Sequence, residues 1–224
     1  MKIGLIIAIE REMMAFLKFG GEVTTKRVGG RDIYSTKMFG HEVSAVMSGY
    51  GEIDAAASTQ LLILETGCDI IMNFGVTGAL IPELGVEDLF VVSRVLNYDF
   101  DISPIDPVER YQYLEYPDIY IPVDGELVEK ATTIMPKLKK VTVASGGRFI
   151  EKKEDKDALA ALGCQICDME AAAIARTCLT NGIKCLSIKC ISDTYAGDGG
   201  DFNQNVIKSA EVAFDVLKEI IKAF

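Results

Sequence analysis

Four carboxylates stand where an α/β protein gathers its chemistry. Glu12 lies three residues past the apolar run at 3–9, Asp168 and Glu170 flank the start of a helical run, and Asp193 directly ends the run KCLSIKCIS. Ligands of open α/β sheets bind outside the carboxyl ends of the strands. An acid and a base on two such strand ends can transfer protons to and from a bound molecule. Each acid also has a second explanation, because carboxylates cap helix starts and suit the positive end of the helix dipole. Their joint position at three sequence-distant strand ends keeps both readings open.

Other chemistries find less support. No G-x-G-x-x-G follows the first apolar run, and no Walker lysine motif is present. Gly75-Val76-Thr77-Gly78 and Ser145-Gly146-Gly147 could admit a ligand close to the backbone or form tight turns. Cys164 and Cys167 have C-x-x-C spacing, but the further ligands of a zinc site are missing. Cys178, Cys185 and Cys190 lie in apolar periodic runs, where packing is the default. The one histidine, His41, falls in a turn, which disfavours a histidine-based triad. No metal and no cofactor are expected. What remains is carboxylate chemistry, and cleavage of a glycosidic bond fits it: one acid protonates the leaving group while another activates water.

Those acids need elements to position them. KIGLIIAI reads as a strand covered on both faces, followed by a helix over 11–19 closed by Gly20 and Gly21. Alternating segments at 32–37 and 42–47 read as a hairpin turning at Phe39, Gly40 and His41. A helix over 53–65 is entered through the turn Ser48-Gly49-Tyr50-Gly51. DIIMNFG, LFVVSRVLNY, VTVAS and KCLSIKCIS read as further buried strands, with helices over 169–179 and 206–224. The irregular stretch 99–122 holds four of the six prolines, as a functional or interface loop would. Strands alternating with helices predict one α/β domain over 1–224, a three-layer fold with a mostly parallel or mixed central sheet flanked by helices.

Composition bounds the partners. With 224 residues and a net charge of −10, the chain would repel nucleic acid. The densest basic cluster, at 137–140, holds three lysines and reads as a solvated helix end. No window approaches the ~20 apolar residues that cross a bilayer, and the first apolar run is too short for a secretory leader. Six cysteines are too sparse for a disulfide scaffold. A soluble, cytoplasmic, reduced protein is expected, with no nucleic-acid or membrane partner.

Six segments then carry a resemblance. KIGLIIAIEREM, SGYGEIDAA, NFGVTGAL, SGGRFI, DMEAAAIA and KCISD occur in order and at matching spacing across essentially the whole chain. Together they resemble the 5′-methylthioadenosine/S-adenosylhomocysteine nucleosidases of the nucleoside phosphorylase superfamily. The resemblance implies hydrolysis of the N-glycosidic bond, with Glu12 activating water and Asp193 protonating N7 of the purine. It implies that Glu170 holds the ribose hydroxyls beside Met169, that Phe149 stacks on adenine and that the Ile150 backbone reads its edge. Gly78, Val76 and Thr77 fall on the glycine-rich segment over the substrate, and Tyr50 falls in the 5′ pocket. It implies a homodimer in which the segment 98–106 reaches the neighbouring site, so that Ile102 and Ile105 line the partner's 5′ pocket.

The chain departs from the family pattern at several points. Val76 stands where the family has a small hydroxyl residue, although Thr77 next door supplies one. Lys189 stands in place of an arginine, losing its bidentate fork. Gly147-Arg148 replaces an acid-plus-small pair before Phe149, and Tyr50 is bulkier than the usual aliphatic. Phosphorolysis is the nearest alternative activity, but Glu12 in the first βα turn would repel phosphate. A futalosine-type substrate and a non-catalytic nucleoside binder are the others.

Overall fold

The computed structural model describes residues 1–19 and 21–224; Gly20, read above as part of a helix stop, lies outside them. β1 (Lys2–Ile7) sends Ile3, Leu5 and Ile7 into one apolar cluster and Ile6 into another. That two-sided burial is what an unbroken apolar strand requires. β1 leads into α1 (Glu10–Phe19), whose Met13 and Phe16 join the first cluster. β2 (Thr24–Val28), β3 (Arg31–Met38) and β4 (His41–Met47) form an antiparallel meander that returns β4 parallel to β1. α2 (Glu52–Thr66) then crosses over to β5 (Ile70–Ala79), parallel to β1 on its other side.

The second half closes a ring around β5. Its elements are β6 (Leu89–Asn97), β7 (Ile121–Pro122), α3 (Gly125–Ile134), β8 (Lys139–Ser145), α4 (Lys153–Ala161), β9 (Ile166–Asp168), α5 (Ala171–Asn181), β10 (Lys184–Asp193) and α6 (Gly199–Lys222). β5 pairs with β10, β10 with β6, β6 with β8, β8 with β9 and β9 with β5 again. β4, β1, β5 and β10 run parallel, while the β9–β5 and β10–β6 pairings are antiparallel. The result is a mixed α/β domain of three layers. Residues of α1, α3 and α6 cover one face, with the Phe214 ring 4.9 Å from that of Phe74 and 6.0 Å from that of Phe16. Residues of α2 and α5 cover the other.

Five elements escape a reading of periodicity, the two-residue β7 among them. β2 is almost wholly exposed and β9 is three residues long. α4 is mostly charged and buries only Lys156 and Leu159. α3 is fixed by its cap, Asp124 accepting a bond from the Leu127 amide at 3.0 Å. The lysines at 137–140 are not a helix end, because Lys139 and Lys140 open β8. The last helix begins at Gly199 and not at 206, since the Asp198 carboxylate caps it through the amides of Gly200 and Asp201. That cap offsets the poor helix propensity of Gly199 and Gly200. Among the described residues no helix is long and apolar enough to cross a membrane.

Candidate active site

A cavity of about 240 Å³ opens at the carboxyl ends of β1, β5, β9 and β10. Glu12, in the first turn of α1, is buried in its wall. Its Oε2 accepts the amides of Ala8 and Ile9 at 3.2 and 3.3 Å, the reach-back of a helix capping box. Its Oε1 accepts the Val76 amide on β5 at 2.8 Å. One carboxylate therefore caps its helix and also faces the cavity. Burial pushes the Glu12 carboxyl above its ordinary value, while Lys189 and the three amides oppose that shift.

Asp193 enters the same cavity from the end of β10. Between Ile191 and Asp193 the pairing with β5 slips by one residue, as a bulge does. The slip lets two consecutive residues, Ser192 and Asp193, line one cavity. Ser192 Oγ donates to Asp193 Oδ1 at 2.8 Å. Burial pushes the Asp193 carboxyl up and Asp201 adds to this, against the Ser192 bond and the Lys156 charge. Neither acid could approach β5 if its glycines bore side chains. A Cβ on Gly75 would collide with Glu12 Oε1, and one on Gly78 would lie 2.7 Å from Asp193 Oδ2.

Glu170 heads α5 without capping it; its Oε1 accepts the Gly51 amide at 2.9 Å. Gly49 and Gly51, at φ 93° and 89°, give the 48–51 turn a backbone that only glycine adopts readily. Burial and the neighbouring Asp168 push the Glu170 carboxyl up to about 7, against Lys189. Lys189 and Asp168 form a buried ion pair at 2.7 Å, and Asp168 Oδ1 also caps α5 through the Ala171 amide at 3.2 Å. Burial favours a neutral Lys189, but Asp168, Glu170 and Glu12 together hold its pKa above the ordinary lysine value. At the mouth the Phe149 and Phe202 rings meet edge to face, 5.9 Å apart. Met169, Tyr50, Ile9 and Ala8 complete the apolar wall.

The lining thus brings together the carboxylates of Glu12, Asp168, Glu170 and Asp193 with an apolar wall and no arginine or lysine. The family model of the phosphorylase superfamily matches residues 2–222. The chain belongs to the phosphorylase superfamily. The aminodeoxyfutalosine nucleosidase of Helicobacter pylori is 27% identical, aligned over 98% of each chain. The 5′-methylthioadenosine/S-adenosylhomocysteine nucleosidase of Shewanella halifaxensis is 29% identical over 98% of this chain and all of the relative. A crystal structure of the Helicobacter pylori 5′-methylthioadenosine/S-adenosylhomocysteine nucleosidase superposes with a TM-score of 0.93 at 26% identity, covering 100% of this chain and 98% of that one. The resemblance read from six short segments thus extends to family, fold and the names of relatives.

Within this phosphorylase-superfamily site, the cavity gathers Glu12, Tyr50, Val76, Thr77, Gly78, Phe149, Met169, Glu170 and Asp193 from the sequence reading. Gly75 through Gly78 form no turn: they continue β5. Three residues stand elsewhere. Ile150 is buried in the cluster of Leu159 and Cys164 and does not line the cavity, since its side chain follows the core side of the chain. Ile102 and Ile105 lie in the 99–106 segment outside the lining, Ile105 being 82% exposed. Tyr98 does not reach outward either; it is buried, and its hydroxyl donates to the Arg148 carbonyl at 2.7 Å. Arg148 pairs with Asp155 at 2.7 Å and leaves the cavity untouched. Of the C-x-x-C pair, Cys167 lines the cavity and Cys164 does not, both being free and buried. His41 contacts the N-terminal amine instead. Among the described residues no cluster of three or more His, Cys, Asp or Glu could hold a metal ion.

Ala8, Ile9, Ser192 and Phe202 line the cavity but were not read as site residues from sequence. Ser192 adjoins a strand-ending acid, which is a signal in itself. Phe202 follows Asp193 by nine residues in a stretch assigned to no element; the Asp-Gly-Gly cap before it was the available clue.

Proposed function

We propose that the protein is an N-glycosyl hydrolase that releases adenine from 5′-substituted thioadenosines or closely related nucleosides. Asp193 protonates the purine at N7, which turns the base into a competent leaving group. Glu12 orients water toward C1′, and Glu170 accepts bonds from the ribose diol, strengthening as positive charge grows on the sugar. Met169 packs on the sugar, Phe149 stacks on the base, the Ile150 backbone reads the base edge, and Tyr50 borders the 5′ substituent.

The observation that carries the choice of water over phosphate is the occupancy of the amides. Glu12 itself takes the amides of Ala8, Ile9 and Val76, which are the donors an anion would need at that strand end. A phosphate there would meet a carboxylate and no cation of the lining. We further propose a homodimer in which Ile102 and Ile105 approach the partner's 5′ pocket, and a reducing, cytoplasmic setting that suits six free, buried cysteines.

The test is a panel of 5′-methylthioadenosine, S-adenosylhomocysteine and aminodeoxyfutalosine, scored for adenine and for free sugar with and without phosphate. Free sugar independent of phosphate is expected, as is a loss of at least ~10²-fold in kcat for Glu12→Gln and for Asp193→Asn. A sugar phosphate as product, or near-native turnover in either variant, overturns the reading.

A further inference from the structure

The strongest unexplained group near the site is a lysine. Lys156 stands on α4, one of only two buried positions of that charged helix, with no exposed surface at all. Its Nζ donates to the carbonyls of Thr194, Tyr195 and Gly197 at 3.1, 3.0 and 3.0 Å. Those three carbonyls belong to the turn that follows Asp193 directly and hands the chain to the Asp198 cap of α6. Among the described residues Lys156 makes no ion pair with a carboxylate. The ammonium is satisfied in hydrogen bonds, yet its charge is not cancelled locally.

A buried cation without a counter-ion is expensive to keep. A neutral donor could satisfy carbonyls at less desolvation penalty, so the charge itself calls for a role. Within the cavity its charge acts on Asp193 and on Cys167, of which Asp193 is the carboxyl. The groups facing Asp193 are Ser192 on its own strand, Gly78 on β5, Cys167 on β9, Asp201 on α6 and Lys156 on α4. Lys156 is the cation among them.

We infer that Lys156 is a positioning residue for the acid, clamping the 194–197 turn behind Asp193 and setting its charge against the Asp193 carboxyl. The inference rests on the proposed role of Asp193. The same helix grips the turn a second time, the Tyr195 hydroxyl donating to Asp157, which Lys153 holds at 2.6 Å. α4 begins just past Phe149, so one helix ties the segment that would stack on the base to the segment carrying its proton donor. The cation has a chemical use. Burial alone would leave Asp193 gripping its proton too firmly to be a good donor, and a fixed positive charge moderates that.

The first test needs no turnover and no lysine variant. The Lys156 Nζ resonance of the intact protein is followed by ¹H–¹⁵N correlation against pH, in wild type and in Asp193→Asn. A step in the lysine shift that disappears in Asp193→Asn is expected; a lysine resonance blind to Asp193 overturns the inference, whatever the protein hydrolyses. The second test reads kcat/KM against pH. Lys156→Met should move the alkaline limb up by about one pH unit, and Lys156→Arg, which keeps the charge, should restore most of that shift. A limb that stays in place in a folded Lys156→Met also overturns it. A coupled lysine in a protein that releases no adenine would instead sink the hydrolase reading and leave the coupling standing.

Discussion

Glu12 and Asp193 rest against one strand three residues apart, Glu12 at Gly75 and Asp193 at Gly78 of β5. Three residues of strand separate the two contacts by about 10 Å, so the proposed acid and base would come at one bound molecule from two points along β5. Helix α1 delivers one carboxylate and a bulged end of β10 delivers the other.

Adding one methyl group at either glycine tests that spacing. Gly75→Ala would displace the Glu12 carboxylate and Gly78→Ala the Asp193 carboxylate. Neither glycine has a positive φ, so the backbone tolerates alanine. Each variant should lose at least ~10-fold in kcat, a fraction of the loss expected for deleting an acid or base outright. Circular dichroism and thermal melting check that the fold persists. Full activity in both would show that the carboxylates do not need their seats on β5.

The charge state of Glu170 links activity and stability to pH. Its carboxyl lies at about 7 in the folded protein against an ordinary 4.5. The folded state therefore binds this proton more tightly, and the stability gained is full below the ordinary value and lost as pH rises through about 7. Glu170→Gln removes that loss, so its stability relative to wild type should improve between pH 5 and pH 8 by on the order of 1 kcal/mol. Urea midpoints at the two pH values measure it, and an unchanged difference would contradict the shift. Substrate KM should also climb below pH 7 as the diol acceptor is protonated.

Lys189 holds three acids in check. Lys189→Met would leave Asp168 buried beside Glu170 and Glu12 with no counter-charge, destabilising the fold by about 3–5 kcal/mol. Because Lys189 opposes the upward shift of Glu12, its loss should move the acid limb of kcat/KM to higher pH. Lys189→Arg should recover both properties in large part. Denaturant unfolding and the pH profile are the measurements, and an unmoved acid limb would remove Lys189 from the charge balance.

The proposed homodimer would cover exposed apolar residues. Ile53 is 88% exposed at the start of α2, and Ile105 is 82% exposed in the prolyl loop. Apolar surface of this kind marks a partner face when it is contiguous. Ile53→Asp and Ile105→Asp should each shift sedimentation from dimer toward monomer by at least ~10-fold in Kd, a methylene-scale loss of burial plus a buried charge. A wild-type protein that sediments as a monomer would refute the dimer.

How much was legible in the chain varies by element. β1, β5, β6 and β10 announced themselves because each is largely buried on both faces and so is mostly apolar. β2, α4 and β9 did not, because an exposed strand, a charged helix and a three-residue strand carry no apolar period to read. The Glu12 side chain illustrates why capping and chemistry could not be told apart beforehand: its Oε2 caps α1 while its Oε1 reaches β5. The same holds for Asp168, which caps α5 and pairs with Lys189. Glu170 and Asp193 cap no helix, and nothing in local spacing said so.

Residue types and order alone therefore determined an α/β chain with carboxylates at strand ends, because burial and charge are written residue by residue. Only the tertiary structure decided which acids share a cavity. The β10 bulge, the two glycines of β5 and the ring closure through β9 are properties of strand pairing between segments far apart in sequence. Lys156 became visible for the same reason: its three acceptors lie about forty residues downstream, and only folding brings an ammonium from α4 behind the acid of β10.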